Sequence, residues 1–264
     1  MVHFRQLLLI ASTLLLAVVA PAHADGSAAP AQDLVTRPAV LTVGSVEVVS
    51  NVEGWLLPGH VLQAVSLAPD VYVGVTPQLT LGVITSNRAL ARLAAGSGVC
   101  FGSEHSGCVA RVSNIGIDAK FSLGRKSWTL APHGRLVMRQ FSPQKPALML
   151  GALLGWQFGR WAVVADPYVQ LGLLNQDRGN RNSVHVPVWL RVQPTCRWQV
   201  ALRTGFDGDF AVLRDGWHGA LGGVVTAAVR PDVDLELSGG VRSAFGPQNT
   251  VKERSVALAV IFRR

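Results

Sequence analysis

Residues Ser183–Val212 read SVHVPVWLRV (183–192), QPTCR (193–197) and WQVALRTGFDGDFAV (198–212). In the first run Val184, Val186, Val188, Leu190 and Val192 alternate with Ser183, His185, Pro187, Trp189 and Arg191. After the QPTCR turn, Trp198, Val200, Leu202, Thr204, Phe206, Phe210 and Val212 alternate with Gln199, Ala201, Arg203, Gly205, Asp207 and Asp209. A period of two sends each set to one face of a pleated strand. The stretch predicts a hairpin with one apolar face, one charged face and a tight turn.

Outward from this hairpin the pattern repeats. It predicts strands at about 40–52, 61–75, 79–86, 114–123, 128–139, 148–158, 161–173, 217–230, 233–245 and 256–262, twelve in all with the hairpin. Pro69, Pro132, Pro167 and Pro187 fall inside them and predict bulges or shortened strands, because proline removes a ladder donor. The connections TPQ, GRK, GR, PTC and RPD are short, whereas 87–107, 175–182 and 246–253 are long. Short turns at one end and long loops at the other belong to an up-and-down membrane barrel, not to a Greek-key sandwich.

Composition agrees. The chain is 49% hydrophobic and 15% charged, yet after its first two dozen residues it has no apolar run long enough for a membrane helix. Such a chain can meet lipid through alternate residues of strands. Trp128, Trp156, Phe158, Trp161, Trp198 and Phe262 stand on the apolar face beside short turns or the C-terminus, and Phe210, Trp217 and Phe245 near the long loops. Two aromatic girdles are expected where strands cross the membrane interfaces. The fold expected is an all-β, antiparallel transmembrane barrel of about twelve strands.

The N-terminus reads as an export signal over 1–24: Arg5, an apolar run from Leu7 to Ala20, and Ala22-His23-Ala24 before Asp25. A flexible linker is expected over 25–38 and the barrel over 39–264, in the bacterial outer membrane. Without Arg5 the net charge of +8 becomes +7, but the basic residues are spread along strands, so nucleic acid is not the expected partner. Cys100 and Cys108 share a loop and are expected to form a disulfide after export. Metal binding with His105 between them is the rival, and CFGSEHSGC lacks the close pair of a zinc site. Cys196 is left over as a free thiol in a turn.

At DVYVGVTPQLTLGV the chain resembles a group of exported outer-membrane barrels that includes transporters and proteins of the phenol-degradation meta-pathway kind. Tyr72, Gly74, Thr76, Leu79, Leu81 and Gly82 carry the likeness, with Pro77 where such proteins often have Asp. The resemblance implies an outer-membrane barrel handled by the barrel-assembly machinery. Arg263 and Arg264 follow Phe262, displacing the terminal aromatic that this machinery commonly reads.

If the apolar face meets lipid, the other face lines the lumen. The expected lining is Asp118, Lys120, His133, Arg135, Arg139, Tyr168, His185, Arg191, Arg203, Asp207, Asp209, Asp234, Glu236 and Arg242. Two readings stand: side chains that pair and fill a non-conducting barrel with a structural or loop-mediated binding role, or a narrow channel whose basic ladder favours anionic solutes, aromatic acids among them. A barrel hydrolase needs a Ser beside a His and a supporting acid, and His133, His185 and His218 have no Ser two residues on. No catalytic residue, metal site or cofactor is expected.

Overall fold

The computed structural model of the chain describes residues 34–35, 37–57, 60–102, 108, 110–123, 127–247 and 253–264. The expected signal peptide, most of the linker and His105 lie outside them. Two hairpin-linked strands, β1 (Val46–Leu57) and β2 (His60–Gly74), begin the wall. β3 (Leu79–Ile84) and β4 (Gly98–Phe101) follow, and both pair with β2 and with β5 (Val112–Phe121). They are two halves of one wall strand, with residues 85–97 inserted between them. β6 (Trp128–Phe141) and β7 (Gln144–Phe158) come next. β8 (Trp161–Ala165) and β9 (Tyr168–Gly172) are again one strand, broken at Asp166-Pro167. β10 (Ser183–Thr195), β11 (Trp198–Asp209), β12 (Trp217–Arg230), β13 (Val233–Phe245) and β14 (Arg254–Arg263) complete the sheet. β14 pairs back with β1, so fourteen segments form a closed antiparallel barrel of twelve strands. Closure removes the sheet edges that lipid could not satisfy.

The barrel is polar inside and apolar outside. Leu67, Leu81, Ile117, Leu136, Leu150, Leu202 and Leu237 lie on the outer surface, while Asn51, Asp70, Asp118, Arg135, Asp166, Arg203 and Asp234 are buried within. In water this arrangement would leave a large apolar band solvated and would desolvate charges. A lipid surround removes the first cost, and pairing inside the lumen offsets the second.

The first strand, expected at 40–52, starts and ends about five residues later. Residues 42–45 form a turn in which the Ser45 N–H donates to the Thr42 carbonyl at 3.1 Å. Its alternation is hard to read in sequence because Val49 and Trp55 point inward with Asn51 and Glu53. At the other end of the chain, Phe210–Val212 is a short 3-10 turn rather than strand, with Asp209 accepting from the Ala211 N–H at 3.0 Å. Of the four prolines, Pro167 breaks a strand and Pro187 faces that break, its carbonyl accepting from the Asp166 N–H at 3.0 Å. Pro69 lies where β3 leaves the wall, its carbonyl accepting from the Thr85 hydroxyl at 2.6 Å. Pro132 stays in an unshifted ladder opposite Ala152.

Trp128, Trp156, Phe158, Trp161 and Trp198 stand on the outer surface near the short turns, Trp156 with 64% of its surface exposed. Phe245 is exposed near the long loops, and Trp217 and Phe262 are half-buried. The Tyr72–Gly82 pair, singled out above, is a cross-strand contact: a Cβ on Gly82 would come within 2.4 Å of the Tyr72 ring. Only glycine lets that ring lie flat on the wall.

Candidate lumenal site

The lumen is organised by a segment that the sequence reading assigned to an external loop. Residues 85–97, TSNRALARLAAGS, leave the wall between β3 and β4 and run inward. Their centre makes a hydrogen-bonded turn, with the Arg92 N–H on the Asn87 carbonyl at 2.9 Å and the Ala91 N–H on the Arg88 carbonyl at 3.0 Å. Ala89 and Leu90 pack into a small interior core with Val49, Ile84, Val137, Ala147 and Met149. A signal was present: Ala, Leu and Arg favour helices, and Leu90 with Leu93 has helical, not strand, spacing.

Two buried carboxylates hold the ends of this segment. Asp70 accepts from the Thr85 N–H (2.7 Å), the Ser86 N–H (3.0 Å) and the Ser86 hydroxyl (2.5 Å). Glu53, 1% exposed, accepts from the Asn87 N–H and side chain and from the Ser97 N–H and hydroxyl, at 2.6–3.1 Å. Among the described residues neither has a cation in ion-pair contact; converging N–H and O–H donors hold the charge, as such donors can. At the far side Arg88 meets Glu236 (2.8 Å), and Arg92 meets Tyr168 (3.2 Å) and Gln170 (2.6 Å). The Tyr168 hydroxyl returns a bond to the Leu90 carbonyl at 2.9 Å. Leu93 lies over Gly222, where a Cβ would be 2.9 Å from its Cδ1. The segment therefore bridges the lumen from β1–β3 to β9 and β13.

Most of the predicted lining residues point inward but divide into separate clusters. Arg135 spans Asp118 (3.3 Å) and Asp166 (3.2 Å), Lys120 adds to Asp118 (3.2 Å), and His133 meets Asp166 (2.5 Å). Tyr168 stacks on His185 with centroids 4.6 Å apart. Asp207 bonds to His185 and lies 3.5 Å from His218. Nearer the long loops are Arg139 with Asn180 (3.4 Å), Asp209 with Arg181 (3.0 Å) and Arg242 with Glu253 (3.1 Å). Arg242 is exposed rather than enclosed.

The basic ladder is thus thinned, because Arg135 is neutralised by two carboxylates. Among the described residues, Arg191 and Arg203 have no carboxylate in ion-pair contact. Both guanidinium groups approach Trp189, at 5.9 and 5.2 Å from its ring. Trp189, Asp166, Glu53 and Asp70 were absent from the predicted lining. Trp189 stood on the charged face of the opening hairpin, so parity alone could have placed it.

The reverse order, a serine two residues before a histidine, does occur on β10. Ser183 precedes His185 by two residues, and its hydroxyl is 2.9 Å from Nε2, with Asp207 on Nδ1. Order and reach are those of a nucleophile, a base and an acid.

Near the short turns the lumen opens into a cavity of about 740 Å³. Arg88, Ala89 and Ala91–Ala94 form part of its lining, as do Leu34, Arg37 and Leu41 from the N-terminal segment. Of the linker expected over 25–38, the described residues rest against the wall: Arg37 meets Asp234, and the Val35 N–H donates to Gln193 at 3.1 Å. Arg263 also reaches Asp234 (2.5 Å) and Glu47 (2.7 Å), tying three strands where the barrel closes. Cys100 and Cys108 form the expected disulfide, and Cys196 is free and exposed.

No protein-family model matches the sequence, and no curated protein matches it. Among solved structures the chain is similar to the NanC porin, with a TM-score of 0.55 at 10% identity over 82% of this chain and 98% of that one. It is likewise similar to an outer membrane channel from Pseudomonas putida F1, with a TM-score of 0.52 at 13% identity over 90% of this chain and 100% of that one. At such identities the likeness is one of fold: a closed antiparallel barrel of the kind outer-membrane channels use.

Proposed function

We propose that the protein is a bacterial outer-membrane channel that passes small anionic solutes through a lumen narrowed by residues 85–97. The observation that carries this reading is Arg191 and Arg203, which among the described residues have no carboxylate in ion-pair contact, facing the 740 Å³ cavity of a barrel whose outer surface is apolar. Unpaired guanidinium groups lower the electrostatic barrier to an anion and raise that to a cation. Trp189 adds aromatic surface, which suits anions with an apolar body. On this reading lipid covers the outer band and the aromatic rings mark its edges. Export depends on residues 1–24, and the assembly machinery inserts the barrel.

A second reading, a filled and non-conducting barrel, is favoured by the contacts of Arg88 and Arg92 across the lumen. The Ser183–His185–Asp207 line is read as part of the polar wall, because Asp207 is shared with His218 and Tyr168 covers a face of the His185 ring.

Single-channel recording of the refolded protein in planar bilayers under a salt gradient separates the two. Small discrete openings with an anion-selective reversal potential support the channel. Insertion without conductance supports the filled barrel, and cation selectivity overturns the role given to the arginines.

A further inference from the structure

Arg203 and Gln199 on β11 are 7% and 8% exposed, and both line the cavity. Among the described residues, Arg203 Nε and Gln199 Nε2 are buried donors that lack a hydrogen-bond partner. A buried donor left unmade costs free energy, and one on a guanidinium costs more than one on an amide. Around them the wall is largely apolar. Trp189 lies directly across from Arg203 in the β10–β11 ladder, and Ala162, Val164 and Ala201 continue that surface into the cavity. Arg191 adds a second cation on the same side. Nearby, Glu236 forms its direct ion pair with Arg88 and acts on Arg191 and Arg203 only through space.

From this arrangement we propose a binding site for a small organic carboxylate with an apolar body, built on Arg203, Gln199 and Arg191. The Nε edge of a guanidinium, with its adjacent Nη, offers two parallel N–H donors that match the two oxygens of a carboxylate. Gln199 supplies a further donor, and the apolar body lies on Ala162, Val164 and Ala201. Trp189 holds Arg203 in place through its ring face and reports on occupancy through its fluorescence. The site refines the channel reading by naming the anion's chemistry. Its test is made at equilibrium in detergent, so a barrel that binds but does not conduct overturns only the channel.

The experiment is titration of the refolded full-length protein with benzoate, followed by calorimetry, with benzamide as the neutral isostere and chloride as the simple anion. Saturable benzoate binding is expected, with benzamide and chloride at least 10-fold weaker. Arg203→Lys keeps the charge but loses the fork, and is expected to weaken benzoate about 10-fold or more. Gel mobility before and after heating checks that each variant is folded. Should Arg203→Lys not fold, protection of Arg203 from phenylglyoxal by benzoate, but not by benzamide, replaces it. Equal binding of benzoate and benzamide overturns the proposal. So does benzoate binding that Arg203→Lys leaves intact, or phenylglyoxal modification that benzoate does not slow.

Discussion

Asn87 donates its backbone N–H to one oxygen of Glu53 at 2.9 Å and its side-chain amide to the other at 3.0 Å. The inserted segment is therefore bolted to β1 through a carboxylate that takes its partners from N–H and O–H donors. Glu53→Gln turns one acceptor oxygen into a donor that faces other donors. A hydrogen bond to a charged group is worth about 1.5–3 kcal/mol. Hydrogen exchange at Asn87 and Ser97 should then accelerate 10-fold or more while strand amides hold their protection. Unchanged exchange at both would mean that Glu53 is not the anchor.

The far end of the segment is tied by Arg88 to Glu236. Both side chains are partly accessible, so the pair is screened, and a coupling of about 1 kcal/mol is expected from a double-mutant cycle. Arg88→Ala, Glu236→Ala and the double variant, compared by thermal unfolding in detergent, measure it. If the pair also sets the constriction, all three variants conduct more than the parent, and by similar factors.

Lipids brominated along their acyl chains distinguish the tryptophans. Single-tryptophan variants retaining Trp128, Trp156, Trp161 or Trp198 should be quenched, since these rings stand on the outer surface. Trp55 and Trp189 point inward and should be spared. Quenching of Trp189 comparable to that of Trp156 would reverse the assignment of the two faces.

Asp234 is fully buried and receives both Arg37 and Arg263. Removing one partner of a buried ion pair costs about 3–5 kcal/mol when nothing else remains. Arg37 does remain, so Arg263→Ala should cost less, roughly 2 kcal/mol by the same reasoning. The barrel-closing β1–β14 pair should be the first to open. The midpoint of heat-induced loss of the compact gel form measures this, and an unshifted midpoint would show that Arg263 is dispensable for closure.

The Cys100–Cys108 bridge closes a short loop, eight residues apart in sequence. Loop-entropy arguments put such a bridge at roughly 2–3 kcal/mol, confined to one mouth of the barrel. Reduction should raise protease cleavage near residues 101–110 without changing the compact gel form. Global unfolding on reduction would assign the bridge a larger role.

The strands, their faces and the short turns were legible in the sequence because strand geometry repeats every two residues. Leu202 against Arg203, or Leu136 against Arg135, declares its side wherever one face meets lipid and the other does not. Cys100 and Cys108 were legible for a simpler reason, since two thiols so close in one loop have few other partners. Residues 85–97 could not be placed by such rules. Nothing local tells a polar-flanked stretch with a few leucines whether to face water or to turn into a barrel. That choice rests on Glu53 and Asp70 on the first hairpin, Tyr168 on β9 and Glu236 on β13, which converge only when the sheet closes.

Charge compensation follows the same division. In sequence Arg135 and Arg203 look alike, each on the polar face of a strand. Closure sets Asp118 and Asp166 against Arg135 and sets Trp189 against Arg203. Local periodicity thus decided which way each side chain points. Only the tertiary fold decided what it meets there, because electrostatic pairing depends on distances across the lumen that no sequence interval encodes.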